Sequence, residues 1–232
     1  MKKVSWLFFL LIFWLPLRGD LLIPMDLSQT NHLRAYGVTY RALEKGVKVR
    51  WLLNYRGGAF LVEPDTRVAR FCRLNKVSFE RVDGSDISII YQQIEENNME
   101  VILLERAPDI AVYAPPNNQP WDDAVTLALT YAGIPYERIW DEQVLAGTLD
   151  KYDWLHLHHE DFTGQYGKFF GTYRNSRWYV EQREFYEAEA ERLGFAKVSE
   201  LKLAVALRIK EYVRRGGFLF AMCSATDSYD IA

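Results

Sequence analysis

The stretch Gly216-Gly217-Phe218-Leu219-Phe220-Ala221-Met222-Cys223-Ser224-Ala225 decides the fold of the carboxyl-terminal half of this 232-residue chain. Its two glycines end a helical pattern over residues 198–214, and an apolar strand then runs into a cysteine. Ala221 and Ala225 stand two positions to either side of Cys223, where a sharp strand–nucleophile–helix turn accepts only small residues. The stretch therefore predicts a strand with a cysteine at its carboxyl end.

Upstream of this stretch, strand patterns alternate with helical patterns. The carboxyl-terminal half has predicted strands at 110–113, 136–139 and 154–158 and predicted helices at 121–132 and 178–193. The amino-terminal half has a strand–helix–strand pattern over 21–53, followed by strands at 60–62 and 77–82 and by an apolar run at 101–104 that we expect to be buried. Such alternation predicts parallel sheets covered by helices. We therefore expect an α/β protein with two doubly wound, mostly parallel-sheet units of flavodoxin or Rossmann type, at residues 20–106 and 107–232.

Motifs in the second half resemble those of a known superfamily. A helix ends at Gly133 and leads into Ile134-Pro135-Tyr136-Glu137, and Gly147-Thr148-Leu149-Asp150-Lys151-Tyr152-Asp153 follows. A further helix then ends at Arg215-Gly216-Gly217, before the strand and Cys223. In this order and spacing, residues 107–232 resemble the class I glutamine amidotransferase-like superfamily, which has a flavodoxin-like fold and includes ThuA-like members.

The resemblance implies roles for three residues. Cys223 would be the nucleophile, the backbone N–H of Ser224 would form part of an oxyanion hole, and His159 or a histidine downstream would be the base. The superfamily's amidotransferases have Gly-x-Cys-x-Gly, whereas this chain has alanine at both flanking positions. Because their catalytic His and Glu follow the cysteine, and the sequence stops at Ala232, we expect 107–232 to be an incomplete domain. The alternative is a buried structural cysteine, since free cysteine is among the most buried residue types.

A second candidate site is the run His156-Leu157-His158-His159-Glu160-Asp161, which holds three of the chain's four histidines. It ends a predicted strand, and sites on open α/β sheets form at that edge, so we expect these histidines near Cys223. His156 and His158 share one strand face and can bind a polar ligand, with Glu160 and Asp161 adding oxygens. Zn²⁺ or Fe²⁺ binding and ordinary hydrogen bonding are open alternatives, because the spacing matches no specific metal motif.

The loop from 162 to 178 is rich in glycine and aromatic residues and carries Arg174 and Arg177. Aromatic rings with arginines suit stacking on a sugar or clamping of a carboxylate. The sequence therefore predicts ligand contacts at Arg174 and Arg177. Packing of the aromatic residues against the first unit is the alternative.

The amino terminus and the charge bear on the compartment and on the partners. Lys2 and Lys3 precede an uncharged, mostly apolar run, Val4 to Leu17, that is shorter than the ~20 residues of a membrane span. We interpret residues 1–19 as a secretory signal peptide, with an uncleaved anchor as the alternative. We expect a periplasmic or secreted protein without a stable membrane span after signal removal. A net charge of −3 argues against a nucleic-acid partner.

These observations predict an exported glutamine amidotransferase-like α/β protein. Its activity would be Cys-dependent hydrolysis or amide transfer on a small polar or carbohydrate-type ligand; a non-enzymatic binding module of the same fold is the alternative. Asparagine synthetase B is not supported, because its nucleophilic cysteine directly follows the initiator Met, where this chain has Lys2. The sequence identifies no cofactor and no oligomeric state.

Overall fold

The computed structural model describes residues 19–116, 123–157 and 169–226. Its strands are β1 (Asp20–Ile23), β2 (Val49–Leu53), β3 (Ala59–Val62), β4 (Glu80–Val82), β5 (Glu100–Leu104), β6 (Ile110–Tyr113), β7 (Glu137–Ile139), β8 (Trp154–Leu157) and β9 (Phe218–Ala221). Its α-helices are α1 (His32–Glu44), α2 (Thr66–Leu74), α3 (Gly84–Glu96), α4 (Ala124–Ala132), α5 (Asp141–Leu145), α6 (Phe170–Tyr173), α7 (Arg177–Arg192) and α8 (Val198–Arg214). Within these residues, every helix is too short or too polar to cross a bilayer.

The chain divides into two compact units. The main boundary lies between Leu104 and Glu105, and one earlier segment belongs to the second unit. Among the described residues, the amino-terminal unit comprises 19–30 and Val47–Leu104, and the carboxyl-terminal unit comprises Asn31–Gly46 and those from Glu105 onward. Helix α1 thus belongs to the carboxyl-terminal unit, although the sequence pattern placed it in the first. The reason is packing: Tyr40 of α1 is buried with Ile110 and Val112 of β6.

The amino-terminal unit contains a five-stranded sheet in the order β4-β1-β3-β2-β5, and all its pairings are antiparallel. The prediction of a mostly parallel sheet is therefore wrong for this unit. Strand β3 follows β2 after a short connection, which can only form a hairpin, because a parallel crossover needs a dozen or more residues. β3 then pairs with β1 as well, so that it separates the two strands of the predicted strand–helix–strand unit.

Arg56 holds the hairpin turn between β2 and β3 in place. It has a left-handed backbone (φ 46°), and its guanidinium donates to Asp26 Oδ2 and Glu80 Oε1, both at 2.8 Å. The hydrogen bond from Arg56 holds the pKa of Asp26 well below its usual range. Met25 N also donates to Arg56 O at 3.0 Å. The turn is thus tied to the segment that follows β1, which stabilises the antiparallel arrangement.

The carboxyl-terminal unit contains a four-stranded sheet in the order β7-β6-β8-β9, and every pairing is parallel. Helices pack on both faces. Leu129 of α4 and Tyr40 of α1 cover the face that carries Ile110 and Val112. Helices α5, α7 and α8 cover the opposite face, where the buried strand residues are Ala111, Tyr113, Ile139, Leu155 and Leu157. This unit confirms the predicted α/β class with a covered parallel sheet.

Candidate functional site

The carboxyl edge of the parallel sheet is the natural place for a site in this unit. The chain passes from β6 to β7 on one side and then to β8 on the other side of β6. This reversal of strand order opens a crevice beyond the carboxyl ends of β6 and β8, where open α/β sheets bind ligands. Tyr113 ends β6 and Leu157 ends β8. The side chains at this edge are therefore the candidates for binding and chemistry.

Cys223 lies at this edge and is exposed. Met222 N donates to Leu157 O at 3.1 Å, which keeps the end of β9 beside the end of β8. Cys223 then begins a short 3-10 turn, Cys223–Thr226, with a left-handed backbone (φ 57°). A left-handed backbone is uncommon for a residue other than glycine and is found at strained functional turns. The exposure of Cys223 argues against a buried structural cysteine.

Cys72 provides the contrast within the same chain. It lies on the buried face of α2, and burial raises the pKa of its thiol to about 12. The thiolate is the reactive form of a cysteine, so Cys72 is inert at neutral pH. Both thiols are free in the described chain.

Beneath the carboxyl edge lies a buried cluster of Tyr113, Asp141 and Lys202. Lys202 Nζ donates to Asp141 Oδ2 at 2.7 Å, to Asp141 Oδ1 at 2.9 Å and to the Tyr113 hydroxyl at 2.9 Å. The Tyr113 hydroxyl also hydrogen-bonds with Asp141 Oδ1. Lys202 is 2% exposed and Asp141 is fully buried. A lysine and an aspartate at this depth are stable only as a hydrogen-bonded pair.

Aromatic rings enclose the ammonium group of Lys202. Its Nζ lies 4.0 Å from the ring centre of Trp140 and 5.4 Å from that of Tyr186, and Trp140 stacks on Tyr113 at 4.4 Å. Such rings attract a cation through their negative faces. Because water and ligands cannot reach its ammonium group, Lys202 has a positioning role. It joins α8 to the end of β6 and to the start of α5.

The cluster was missed by the sequence analysis, although a signal was present. Lys202 is spaced at four and seven residues from Ala206 and Ile209 on the apolar stripe of α8, so the pattern places it on the buried face. A lysine on such a face indicates a buried partner. The partner could not be named, because Asp141 lies 61 residues away along the chain.

His156 lies in β8, one residue before the strand ends, and it is 5% exposed. Its ring stacks on Phe220 at 5.2 Å and meets Trp154 edge-on at 5.9 Å. Val112, its register partner, belongs to the face covered by α4, whereas Tyr113 belongs to the opposite face. His156 and the Lys202 cluster are thus on opposite faces, and the surroundings of His156 are aromatic.

The other predicted site residues divide into two groups. His158, His159, Glu160 and Asp161 lie outside the described residues, so their predicted proximity to Cys223 stays a prediction. Arg174 and Arg177 are exposed, and Arg177 Nε pairs with Glu181 Oε1 one turn along α7 at 2.6 Å. Ser224 follows Cys223 in the 3-10 turn. In the part of the chain that the structure describes, no cluster of three metal-binding side chains occurs.

Three aromatic residues of the predicted ligand loop, Phe169, Tyr173 and Trp178, pack on one another. Phe169 meets Tyr173 at 5.8 Å and Trp178 at 6.0 Å, and Tyr173 and Trp178 are 5.3 Å apart between ring centres. This cluster precedes and begins α7, close to Arg174 and Arg177 in the chain. Trp178 also meets Tyr179 edge-on at 5.7 Å, and sugar stacking by these rings stays a prediction.

Comparison of the chain with protein-family models, with curated proteins and with solved structures gave no match. In the carboxyl-terminal unit, Cys223 is exposed and has a left-handed backbone, and the Lys202–Asp141 pair is buried.

Proposed function

We propose that this protein is an exported, glutamine amidotransferase-like α/β protein that uses Cys223 to hydrolyse or transfer an amide-type bond of a small polar or carbohydrate-type ligand. The observation that carries the proposal is the geometry of Cys223: exposed, left-handed, and at the carboxyl end of a parallel strand. The strand order β7-β6-β8-β9 supports it, because it follows the flavodoxin-like order 2-1-3-4. On this proposal the carboxyl-terminal unit is doubly wound.

In the proposed reaction, the base predicted at His159 takes the proton of the Cys223 thiol. The thiolate attacks a carbonyl carbon of the ligand, and the oxyanion accepts a hydrogen bond from the backbone N–H of Ser224. The C–N bond then breaks, the amine leaves with a proton from the base predicted at His159, and a thioester remains. Attack by water, or by an acceptor amine, releases the acyl group and restores the thiol. The Lys202 cluster fixes the neighbouring end of β6 against α8 during these steps.

The second candidate function is ligand binding without catalysis. Ala221 and Ala225 favour binding without catalysis, because the superfamily's amidotransferases have glycine at both positions. The methyl groups of the two alanines leave less space in the turn around Cys223. Both candidates place the ligand at the carboxyl edge. They differ in the reactivity of Cys223.

The reactivity of Cys223 can be measured directly by iodoacetamide alkylation at pH 7, followed by mass spectrometry. We expect Cys223 in the folded protein to react about tenfold faster than the same cysteine in a synthetic peptide of residues 219–226, because the proposed site supplies an activating base, predicted at His159, which the peptide lacks. Cys72 is the internal control and should stay unmodified until the protein unfolds, since it is buried with its pKa raised to about 12. Equal rates for protein and peptide would contradict the enzymatic proposal and favour binding alone.

Export has its own test. We expect the mature chain to begin near Asp20, because residues 1–19 have the charge and length of a signal peptide. Amino-terminal sequencing of exported protein should find those residues absent. An intact amino terminus that stays with the membrane fraction would instead support an uncleaved anchor.

A further inference from the structure

An open groove of about 500 Å³ lies at the amino edge of the parallel sheet, where α4 ends and the chain leads into β7. Its lining residues come from α1, from the end of α4 and from the loop before β7: Arg41, Glu44, Thr130, Gly133, Ile134, Pro135 and Tyr136. Cys223 follows the carboxyl end of β9, so the groove and Cys223 are at opposite edges of the same sheet. Clefts of about 300–1,000 Å³ are typical of small-molecule sites.

Two opposite charges from α1 face this groove. Arg41 and Glu44 are both exposed, and both line it. In the described helix α1 they are three residues apart, without an ion pair between them. Arg192 and Glu189 have the same spacing on α7 and pair at 2.7 Å. The charges of Arg41 and Glu44 are therefore not used up on each other, and each is available to a ligand.

The carboxyl end of α4 orients the guanidinium of Arg41. A Cβ atom at Gly133 would lie 3.5 Å from Arg41 Nη2 and 3.9 Å from Arg41 Nε, so the guanidinium lies against this glycine. Gly133 has a left-handed backbone (φ 73°), which favours glycine and keeps a side chain out of this space. The carboxyl end of a helix carries the negative end of its dipole, which attracts a cation. Arg41 is thus held beside the groove before any ligand arrives.

The rest of the lining provides a polar side and an apolar side. Thr130 Oγ1 and the Tyr136 hydroxyl are 3.2 Å apart and hydrogen-bond with each other. Ile134 and Pro135 add aliphatic surface. Small-molecule sites commonly combine an apolar wall with a few polar groups that orient the ligand. The groove therefore has one wall for an apolar group and two opposite charges for polar groups.

The charges select the kind of ligand. A ligand with only negative charge would face Glu44 and the negative end of α4, and one with only positive charge would face Arg41. A ligand that carries both charges avoids both conflicts. Residues three apart on a helix have Cβ atoms about 5–6 Å apart, so one small molecule can reach both side chains.

We propose that this groove binds a free α-amino acid with an aliphatic side chain. Its carboxylate accepts hydrogen bonds from the Arg41 guanidinium, whose planar fork matches a carboxylate, and its ammonium group donates to Glu44. Its side chain packs on Ile134 and Pro135. This is a binding site in addition to the proposed site at Cys223.

The ligand class can be tested by isothermal titration calorimetry of the full chain with L-leucine. We expect L-leucine to bind. N-acetyl-L-leucine lacks the ammonium charge and 3-methylbutylamine lacks the carboxylate, so each should bind about tenfold more weakly or less. Absence of L-leucine binding, or equally tight binding of either analogue, would overturn the proposal.

Substitutions at the two charged residues test the location. Arg41→Gln and Glu44→Gln should each weaken L-leucine binding about tenfold or more, because each removes a hydrogen bond to a charged group. Arg41→Lys keeps the positive charge and should bind more tightly than Arg41→Gln. Arg208→Gln is the matched control, an exposed arginine on α8 of the same unit, and should leave binding unchanged. Wild-type binding by Arg41→Gln or by Glu44→Gln would contradict the site.

Thermal unfolding shows whether these variants fold. Both side chains are exposed, so the Tm of each variant should stay close to that of the wild type. If Arg41→Gln did not fold, Glu44→Gln and the two analogues of L-leucine would still decide between binding at the groove and no such site.

A Cys223→Ser variant separates this inference from the proposed function. It should bind L-leucine as the wild type does, because Cys223 is at the opposite edge of the sheet. Loss of binding in Cys223→Ser would place the ligand at the carboxyl edge and overturn the inference. Slow alkylation of Cys223 together with L-leucine binding contradicts the enzymatic proposal alone, and fast alkylation without L-leucine binding contradicts the inference alone.

Discussion

Replacing Lys202 by methionine should lower the free energy of unfolding of the carboxyl-terminal unit by about 3–5 kcal/mol. The change keeps much of the side-chain volume but leaves the fully buried Asp141 without its charged partner. A carboxylate buried without a counter-charge is far less stable than one in water. Urea denaturation followed by tryptophan fluorescence will measure the loss, because Trp140 lies against the Lys202 ammonium group.

Two variants show whether the loss comes from the ion pair. The double substitution Lys202→Met and Asp141→Leu removes both charges, and we expect it to recover most of the lost stability, since apolar residues often replace a buried ion pair at little cost. Lys210→Met changes an exposed lysine on the same helix and should shift stability by at most about 0.5 kcal/mol. A double variant no more stable than Lys202→Met alone would contradict the ion-pair explanation.

The second large effect is expected at Gly37, where α1 approaches α4. A Cβ atom at this position would lie 1.8 Å from the carbonyl oxygen of Ala132 and 2.8 Å from its carbonyl carbon. Both are backbone atoms, so the helices must move apart. Alanine favours a helix over glycine by about 1 kcal/mol, but overpacking a tight contact costs about 1–3 kcal/mol and occasionally more. We expect Gly37→Ala to lower the free energy of unfolding by about 2–3 kcal/mol, as measured in urea.

Gly84→Ala is the matched control for this prediction. Gly84 begins α3 with an ordinary φ, and a Cβ atom there would have no neighbour within 4 Å. The substitution should therefore be neutral or stabilising by up to about 1 kcal/mol, because alanine has fewer unfolded conformations than glycine. If Gly37→Ala and Gly84→Ala had the same effect, the close approach of α1 and α4 would be wrong.

Much of the secondary structure of the carboxyl-terminal unit could be predicted from the sequence. The helix predicted over 198–214 and the strand predicted over 110–113 have those bounds in the structure. Gly133 ends α4 in a left-handed conformation (φ 73°), as its position in the pattern indicates. These features depend on side-chain periodicity and on the conformational freedom of glycine, which are properties of a few consecutive residues.

The direction of pairing in the amino-terminal sheet could not be predicted in the same way. Strand β1 is separated from β2 by β3, which comes later in the chain and runs opposite to both. Helix α1 likewise packs in the carboxyl-terminal unit, with Tyr40 donating to the carbonyl of Pro108 at 2.8 Å. The hydrophobic periodicity of a strand is the same in a parallel and in an antiparallel sheet. The periodicity of a helix is likewise the same whichever unit the helix packs in. The choice depends on which faces bury each other, and that involves residues far apart in sequence.

The candidate site, like the fold, was only partly predictable from the sequence. The sequence by itself determined that a cysteine ends a strand between small residues, because that pattern is contiguous from Ala221 to Ala225. Only the tertiary structure decided that Cys223 is exposed and that Lys202 meets Asp141 and Tyr113. Lys202 and Tyr113 are 89 residues apart, and hydrogen bonding and burial over that separation arise only when β6, α5 and α8 pack together.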